Sequence, residues 1–399
     1  MDELYELPEG WEWKKLNTVL DVQNGYAFDS KLFNEETGTQ LIRIRDLKNG
    51  ITTEKKFNGS YDDKFLVYKG DFLIGMDGDF VCYIWKGKPS LLNQRVCRLI
   101  NFKENLEPKY VFYGINKYLA DIHKTTAYVT VKHISSKQIK NIDFPLPPLQ
   151  EQKRIVAKLD SLFAKIDQAI ALHQQNIDEA ERFMGSVLNE VFGELEGKYD
   201  TDIIKNISKV GTGVTPLKSK TEYYENGCVN WITSKATNNN FVIESEQMIS
   251  EIAINECRLK INPVGTLIVA LYGQGKTRGQ VSELKIESAT NQAIATIIVN
   301  DEKVFNRYLK YFLKKSYLDL RKKASGGTQA NLNLTIIKNI ELPIPPLNIQ
   351  QKTVQYLDQL SQKTEKLKQV QQEKMQSLKD LKASLLDRAF RGELLVSLY

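Results

Sequence analysis

The stretch IKNIDFPLPPLQEQKRIVAKLDSL, residues 139–162, returns at residues 337–360 as IKNIELPIPPLNIQQKTVQYLDQL, 198 residues later and without a gap. Ile139, Lys140, Asn141, Ile142, Pro145, Pro147, Pro148, Leu149, Gln152, Val156, Leu159, Asp160 and Leu162 recur unchanged, 13 of 24 positions. So dense a self-match at one fixed offset means that the chain is one unit written twice. Each copy runs in the same order: a hydrophobic segment, a proline step, then a long helical pattern. Proline lacks the amide donor that a strand or helix needs, so PLPP is expected to stop both and act as a stiff hinge.

Downstream of the first step, residues 150–192 hold no proline and a single glycine, Gly185. Ile155, Leu159, Leu162, Ile166 and Ala169, then Ala180, Phe183 and Val187, fall in steps of four and three, which is a coiled-coil seam. A second such helix is expected over residues 349–390, with Val354, Leu357, Leu360, Leu367, Leu378, Leu381 and Leu385 apolar and Phe390 at its end. Polar residues break both seams: His173 and Asn176 in the first, Thr364, Gln371 and Lys374 in the second. His173 and Gln371 hold the same position in the repeat. With a whole domain between the helices, antiparallel pairing would bring the two breaks together, and a buried polar layer of that kind fixes register.

Upstream of each step lies a mixed α/β pattern. Residues 16–25 (LNTVLDVQNG) read as a strand or short helix stopped at Asn24–Gly25. Residues 41–47 (LIRIRDL) alternate as a strand would, with Arg43 and Arg45 on one face. FLIG at residues 72–75 reads as a buried strand leading into the loop MDGDF, and residues 94–100 (QRVCRLI) as another strand. Pro108 opens a helix to about residue 123. In the second half, IKNISKVGTG (204–213) matches the early strand-and-glycine stretch. ATNQAIATII (289–298) falls 198 residues after LLNQRVCRLI, and RYLKYFLKKSYLDLRKK (307–323) repeats the helix. SGGTQANLNL (325–334) stands where the first half has TAYVTVKHIS. The framework is kept while the loops differ, so the halves should bind related but non-identical targets.

The expected architecture is therefore mixed α/β. Two similar globular domains (1–149 and 197–347) are separated by two long helices (150–196 and 348–399) that form an antiparallel coiled coil, a pseudo-twofold repeat. At 399 residues, 42% hydrophobic and 26% charged, the composition is that of soluble globular domains, and the net charge of +6 permits a nucleic-acid partner. Cys82, Cys97, Cys228 and Cys257 form no CxxC pair, and His123, His133 and His173 have no metal-ligand spacing, so reduced thiols and no metal are expected. The acidic start and the lack of a roughly 20-residue apolar run point to the cytoplasm rather than to export or a membrane.

ALYGQGKT (270–277) ends like a phosphate-binding loop. However, Ala270 stands where the first glycine is required, RGQVSEL after it has no helical stripe, and the first half has no counterpart. The prolines read LPPL and IPPL, without the Asn or Asp that an amino-methyltransferase places before its prolines, and no carboxylate cluster suggests a nuclease. The chain is read as non-catalytic. What remains is readout chemistry: Arg43, Arg45, Lys48, Tyr128, Lys132, His133 and Lys137 in the first half, and Lys218, Lys220, Lys235, Gln274, Lys276, Thr277, Arg278 and Gln329 in the second. Arginine and glutamine make two-pronged contacts with guanine and adenine edges.

The repeated proline-to-helix signature, ATNQAIA, SGGTQANL and the terminal AFRGEL (389–394), with its echo VFGEL (191–195), resemble the specificity subunit of type I restriction–modification systems. The resemblance covers essentially the whole chain. It implies two target recognition domains, each reading one half of a split, asymmetric site in double-stranded DNA. It also implies that the helices, through the seam residues above, dock two modification subunits, with restriction (motor–nuclease) subunits joining them. Those partners would carry S-adenosylmethionine, ATP and magnesium, and this chain would bind no cofactor. The competing reading is a coiled-coil adaptor whose globular ends bind proteins.

Overall fold

In the computed structural model, which describes residues 5–51, 53–125, 132–273, 275–323 and 331–395, the chain divides into two units. One holds residues 1–172 with 374–399, and the other holds residues 173–373.

The core of the first unit is a four-stranded antiparallel sheet in the order Asp21–Asn24, Val96–Ile100, Phe72–Gly75, Cys82–Ile84. Phe72–Gly75 is buried on both faces, as its unbroken apolar run requires. A smaller five-stranded sheet carries one parallel pair, Thr39–Ile42 beside Ser90–Leu92. The helix Pro108–Thr125 buries Tyr110, Val111, Ile115 and Leu119 against the main sheet.

The second unit repeats this plan. Its main sheet runs Ser208–Thr212, Ile294–Val299, Leu267–Ala270, Val281–Leu284, Phe241–Val242. A three-stranded sheet again holds one parallel pair, Val229–Ile232 beside Ala289–Thr290. The helical stretch is split into Asn306–Lys315 and Tyr317–Lys323.

The proline step has a different job from the one expected. Pro145 lies inside the strand Asp143–Leu146, opposite Trp13 of Glu12–Lys15, and Pro343 ends the equivalent strand opposite Thr201. Each belongs to a two-stranded ribbon, where one edge needs no ladder donor and proline is tolerated. The proline carbonyls are used: Tyr110 Oη donates to Pro145 O at 3.1 Å, and Tyr308 Oη to Pro343 O at 3.1 Å. The helices then begin immediately, as Leu149–Glu196 and Leu347–Phe390.

The repeated glutamine is a buried clasp. Gln152 accepts from the Glu107 amide at 2.8 Å and donates to Asn105 O (3.1 Å) and Pro147 O (2.8 Å). Gln350 makes the same three bonds to Phe305, Lys303 and Pro345 at the same distances. The repeated aspartate ties helix to domain. Asp160 takes Tyr113 and Lys109, and Asp358 takes Tyr311 (2.6 Å) and Arg307 (2.6 Å). These bonds explain why those letters survive in both copies.

The far ends of the long helices are also anchored in cores. In the second unit Phe192 packs 5.2 Å from Tyr308 and 5.2 Å from Phe312. In the first, Phe390 lies 4.7 Å from Tyr110 and 5.7 Å from Phe144. Gly114 makes the room, since a Cβ there would come within 2.3 Å of Phe390 Cε1. Where the first unit has Gly114 and Phe144, the second has Phe312 and Leu342 at the same repeat positions, so volume is traded across the pocket.

Within each unit the helix segments run antiparallel. In the first, Asp167 pairs with Lys382 at 2.7 Å, and Lys382 lies over the Phe163 ring. In the second, His173 Nδ1 is 2.5 Å from Gln371 Oε1, Asn176 Nδ2 donates to the same oxygen at 3.3 Å, and Glu181 meets Lys368 at 3.3 Å. The two polar breaks therefore do face each other, and Gln371 is buried. The seam is less continuous than its spacing suggested. Ile155, Leu159, Ile166, Val187, Val354, Leu357 and Phe390 are buried, largely in domain cores, and Leu162, Leu360, Leu378 and Leu385 are partly so. Phe183 and Leu381, expected in the seam, are 52% and 47% exposed. Among the described residues of each unit, two helix segments pair and leave those flanks uncovered.

Candidate nucleic-acid interface

In the first unit four chain segments converge beyond the ends of the central strands. Gly25 donates to Val96 O (2.9 Å) and Tyr26 to Leu92 O (2.9 Å). Met76 donates to Arg95 O (3.0 Å), and Ile134 to Met76 O (2.8 Å). Gly25 must be glycine, because a Cβ would sit 2.0 Å from the Asn93 carbonyl oxygen. The result is a platform built from residues 24–26, 76–79, 93–95 and 132–137. Tyr26 stands out from it half-exposed, backed by Phe28 and Phe65. Asp77 holds His133 Nδ1 at 2.7 Å and lies 3.5 Å from Arg95 Nη1.

Of the residues singled out from the sequence, His133 and exposed Lys137 lie on this platform, and Lys132 contributes its carbonyl to Gly78. Residues 41–47 are not one strand. The strand Thr39–Ile42 ends and a four-residue helix Ile44–Leu47 begins, because the Asp46 carboxylate reaches back to the Arg43 amide at 2.9 Å. The same carboxylate takes the Arg43 Nε at 3.1 Å, so that guanidinium is spent on the fold and its side chain is only 18% exposed. Arg45 and Lys48 remain exposed. The strand register pairs Ile42 with Leu92, so Arg43 and Asn93 leave the sheet side by side. Tyr128 lies outside the described residues.

The second unit builds its platform with some of the same backbone bonds. Leu271 donates to Ala293 O (2.8 Å), Leu332 to Leu271 O (3.1 Å), and Asn291 to Ile232 O (3.0 Å). Gly213 backs onto the Thr290 carbonyl as Gly25 backs onto Asn93. Thr215 donates to the Gln292 side chain. Residues 271–280 link two antiparallel strands, Leu267–Ala270 and Val281–Leu284. A phosphate-binding loop runs from strand into helix, so this hairpin is not one. Tyr317 Oη donates to Lys276 O (2.7 Å) and Arg321 to Arg278 O (3.1 Å), which props the loop from behind. Thr277 Oγ1 donates to Asn238 at 3.3 Å. The Lys276 side chain is 84% exposed, with its ammonium 3.8 Å from Glu181.

Lys218 is exposed. Lys220 is committed elsewhere: bonds to Tyr223 (3.0 Å) and Glu256 (3.0 Å) raise its pKa and hold it against its own fold. Lys235 pairs with Glu246 at 2.8 Å beside a recess of about 540 Å³ walled by Trp231, Thr233, Asn238 and Phe241. Gln274 and Gln329 lie outside the described residues. Sequence reasoning missed Tyr26, Asp77, Arg95 and Thr215 as site residues. Their only common signal is three-dimensional: each flanks a backbone bond between segments distant in sequence.

The two units thus carry platforms on one framework, with different side chains at their tips. Residues 8–182 and 198–374 each match the model of the type I restriction modification DNA specificity domain, and the chain belongs to that family. It is similar to the specificity subunit of the type I restriction enzyme EcoBI of Escherichia coli, at 28% identity over 98% of this chain and 88% of that one. It is also similar to the MjaVIII specificity subunit of Methanocaldococcus jannaschii, at 22% identity over 89% and 87%. A chain solved in work on complex assembly and conformational transition of the type I R-M system shares the fold, with a TM-score of 0.71 at 22% identity, covering 98% of this chain and all of that one. Among the described residues no helix is long and apolar enough to cross a membrane.

Proposed function

We propose that this chain is the non-catalytic specificity subunit of a type I restriction–modification complex. Each platform reads one short half of a split, asymmetric site in double-stranded DNA, and the paired helices set the gap between the halves. The helices also dock two modification subunits, which bring S-adenosylmethionine and methylate adenine. Restriction subunits bring ATP, magnesium and cleavage, and the assembly works in the cytoplasm.

One observation carries this reading: Met76 and Leu271 make the same pair of backbone bonds in the two platforms, while the side chains beside those bonds differ. A duplicated adaptor that bound one protein at both ends would be expected to present the same side chains at both tips. Family membership supports DNA specificity, and exposed Arg45, Lys48, Lys137, Lys218 and Lys276 supply phosphate contacts that position without specifying. Methylation mapping of cellular DNA with and without this chain tests the proposal. A bipartite adenine-methylated motif should appear only when the chain is present, and an unchanged map would refute it. Retention on duplex DNA that is lost as salt rises separates this reading from the protein-binding adaptor.

A further inference from the structure

The two platforms differ at three positions that directly adjoin their shared backbone bonds. In the first unit these are Asp77, Arg95 and His133. Met76 and Leu271 make the same pair of bonds, to residue 95 or 293 and from residue 134 or 332, so the matching positions in the second unit are Tyr272, Ala293 and Asn331. Around them the framework is kept: Asn93 and Gln94 against Asn291 and Gln292, Ile134 against Leu332. A mixed-charge trio thus faces an aromatic, methyl and amide trio on one scaffold.

The first trio is organised. The Asp77 and His133 backbones meet in an isolated antiparallel bridge, and the carboxylate lies against the His133 ring and near the Arg95 guanidinium. Asp77 is the least exposed of the three, at 26%, while Arg95 is 58% and His133 44% exposed. A carboxylate at the base therefore lies 3.5 Å from one Nη of a guanidinium that is more than half exposed. Exposed ion pairs contribute little to stability, so the fold alone does not account for this arrangement. A planar donor fork on a platform tip, with a carboxylate beside it, matches the O6 and N7 acceptors of guanine.

We propose that Arg95, positioned by Asp77, reads a guanine in the half-site of the first domain, and that positions 77, 95 and 133, with 272, 293 and 331, are the specificity-determining positions of the two domains. This rests on the function proposed above. Asp77 acts through Arg95 and is a positioning residue.

The test is selection from a pool of random-sequence duplexes with the full-length chain assembled with its modification subunits. Wild type, Arg95→Ala, Arg95→Lys, Asp77→Asn and Lys137→Ala are compared, with thermal unfolding of each as a control for folding. Arg95→Ala should lose discrimination at one guanine of one half-site by roughly 5- to 150-fold and leave the other half-site intact. Arg95→Lys keeps the charge but not the fork, and should lose most of the same discrimination. Asp77→Asn should weaken preference at that same position, whereas Lys137→Ala should lower affinity evenly over all sequences. Retained preference in Arg95→Ala, or full rescue by Arg95→Lys, would overturn the assignment. A wild-type complex that selects no motif would instead sink the function itself, and this inference with it.

Discussion

Gln152 and Gln350 show how a single residue holds proline step, helix and domain together. Each is fully buried, and each bonds one backbone amide and two backbone carbonyls. Gln152→Ala should cost the first unit about 2 kcal/mol, because the buried Pro147 carbonyl and two part-buried backbone groups lose their partner. Denaturant midpoints would check it, and a loss below about 0.5 kcal/mol would contradict the clasp. Lys310 makes a sharper case. It is buried over the Phe241 ring, 3.3 Å from Glu283 and donating to Asn240 O at 2.6 Å, while Glu283 also takes Lys285. At the matching repeat position the first unit has Phe112, stacked on Phe72. Burial pushes the Lys310 pKa down to about 7; Glu283 opposes that shift, and Lys314 and Arg307 add to it. The depressed value means the unfolded chain binds the extra proton between about pH 7 and the ordinary lysine value. The stability from this site is therefore full above that upper value and is lost as pH falls through about 7. Lys310→Ala should destabilise the second unit by about 3–5 kcal/mol, while Lys310→Met with Glu283→Leu should be neutral or stabilising. Wild type should become more stable than that double variant as pH rises from 7 to 10, and a flat difference would contradict the sign.

At the scale of elements, what was legible in the sequence is what depends on local pattern. The long helices, the buried strand at residues 72–75 and the helix opened by Pro108 follow from periodicity and from proline chemistry. Residues 41–47 misled because alternation over so few positions does not reveal an aspartate reaching back to cap a helix. PLPP misled because the lone partner strand of a ribbon forgives proline. Asp77, Arg95 and His133 were illegible as a group, since only the sheet brings such distant letters together. Element packing also makes its own predictions. Gly114→Ala would push Phe390 out of the first core, at about 1–3 kcal/mol, and combining it with Phe390→Ala should cost less than the sum of the two, as contacting sites do. Strict additivity would mean that Phe390 does not dock there. Gln371→Leu strands His173 and Asn176 and should destabilise the helix pair, whereas His173→Leu added to it should recover stability and loosen register. Circular dichroism melts and interhelical disulfide trapping would read the two effects separately.

For the whole molecule, duplication is what makes the proposed function possible. One scaffold copied at a fixed offset gives two platforms whose tip residues differ while clasp, aspartate ties and phenylalanine anchors are repeated. On the proposed function the helices would carry information of their own, the gap following helix length and not any base contact. The most direct test is a map of adenine methylation in cells carrying either the wild-type chain or chains with one heptad deleted from either long helix. The account predicts that both half-sites persist and the gap between them changes. An unchanged gap, or a motif that is not split at all, would contradict it.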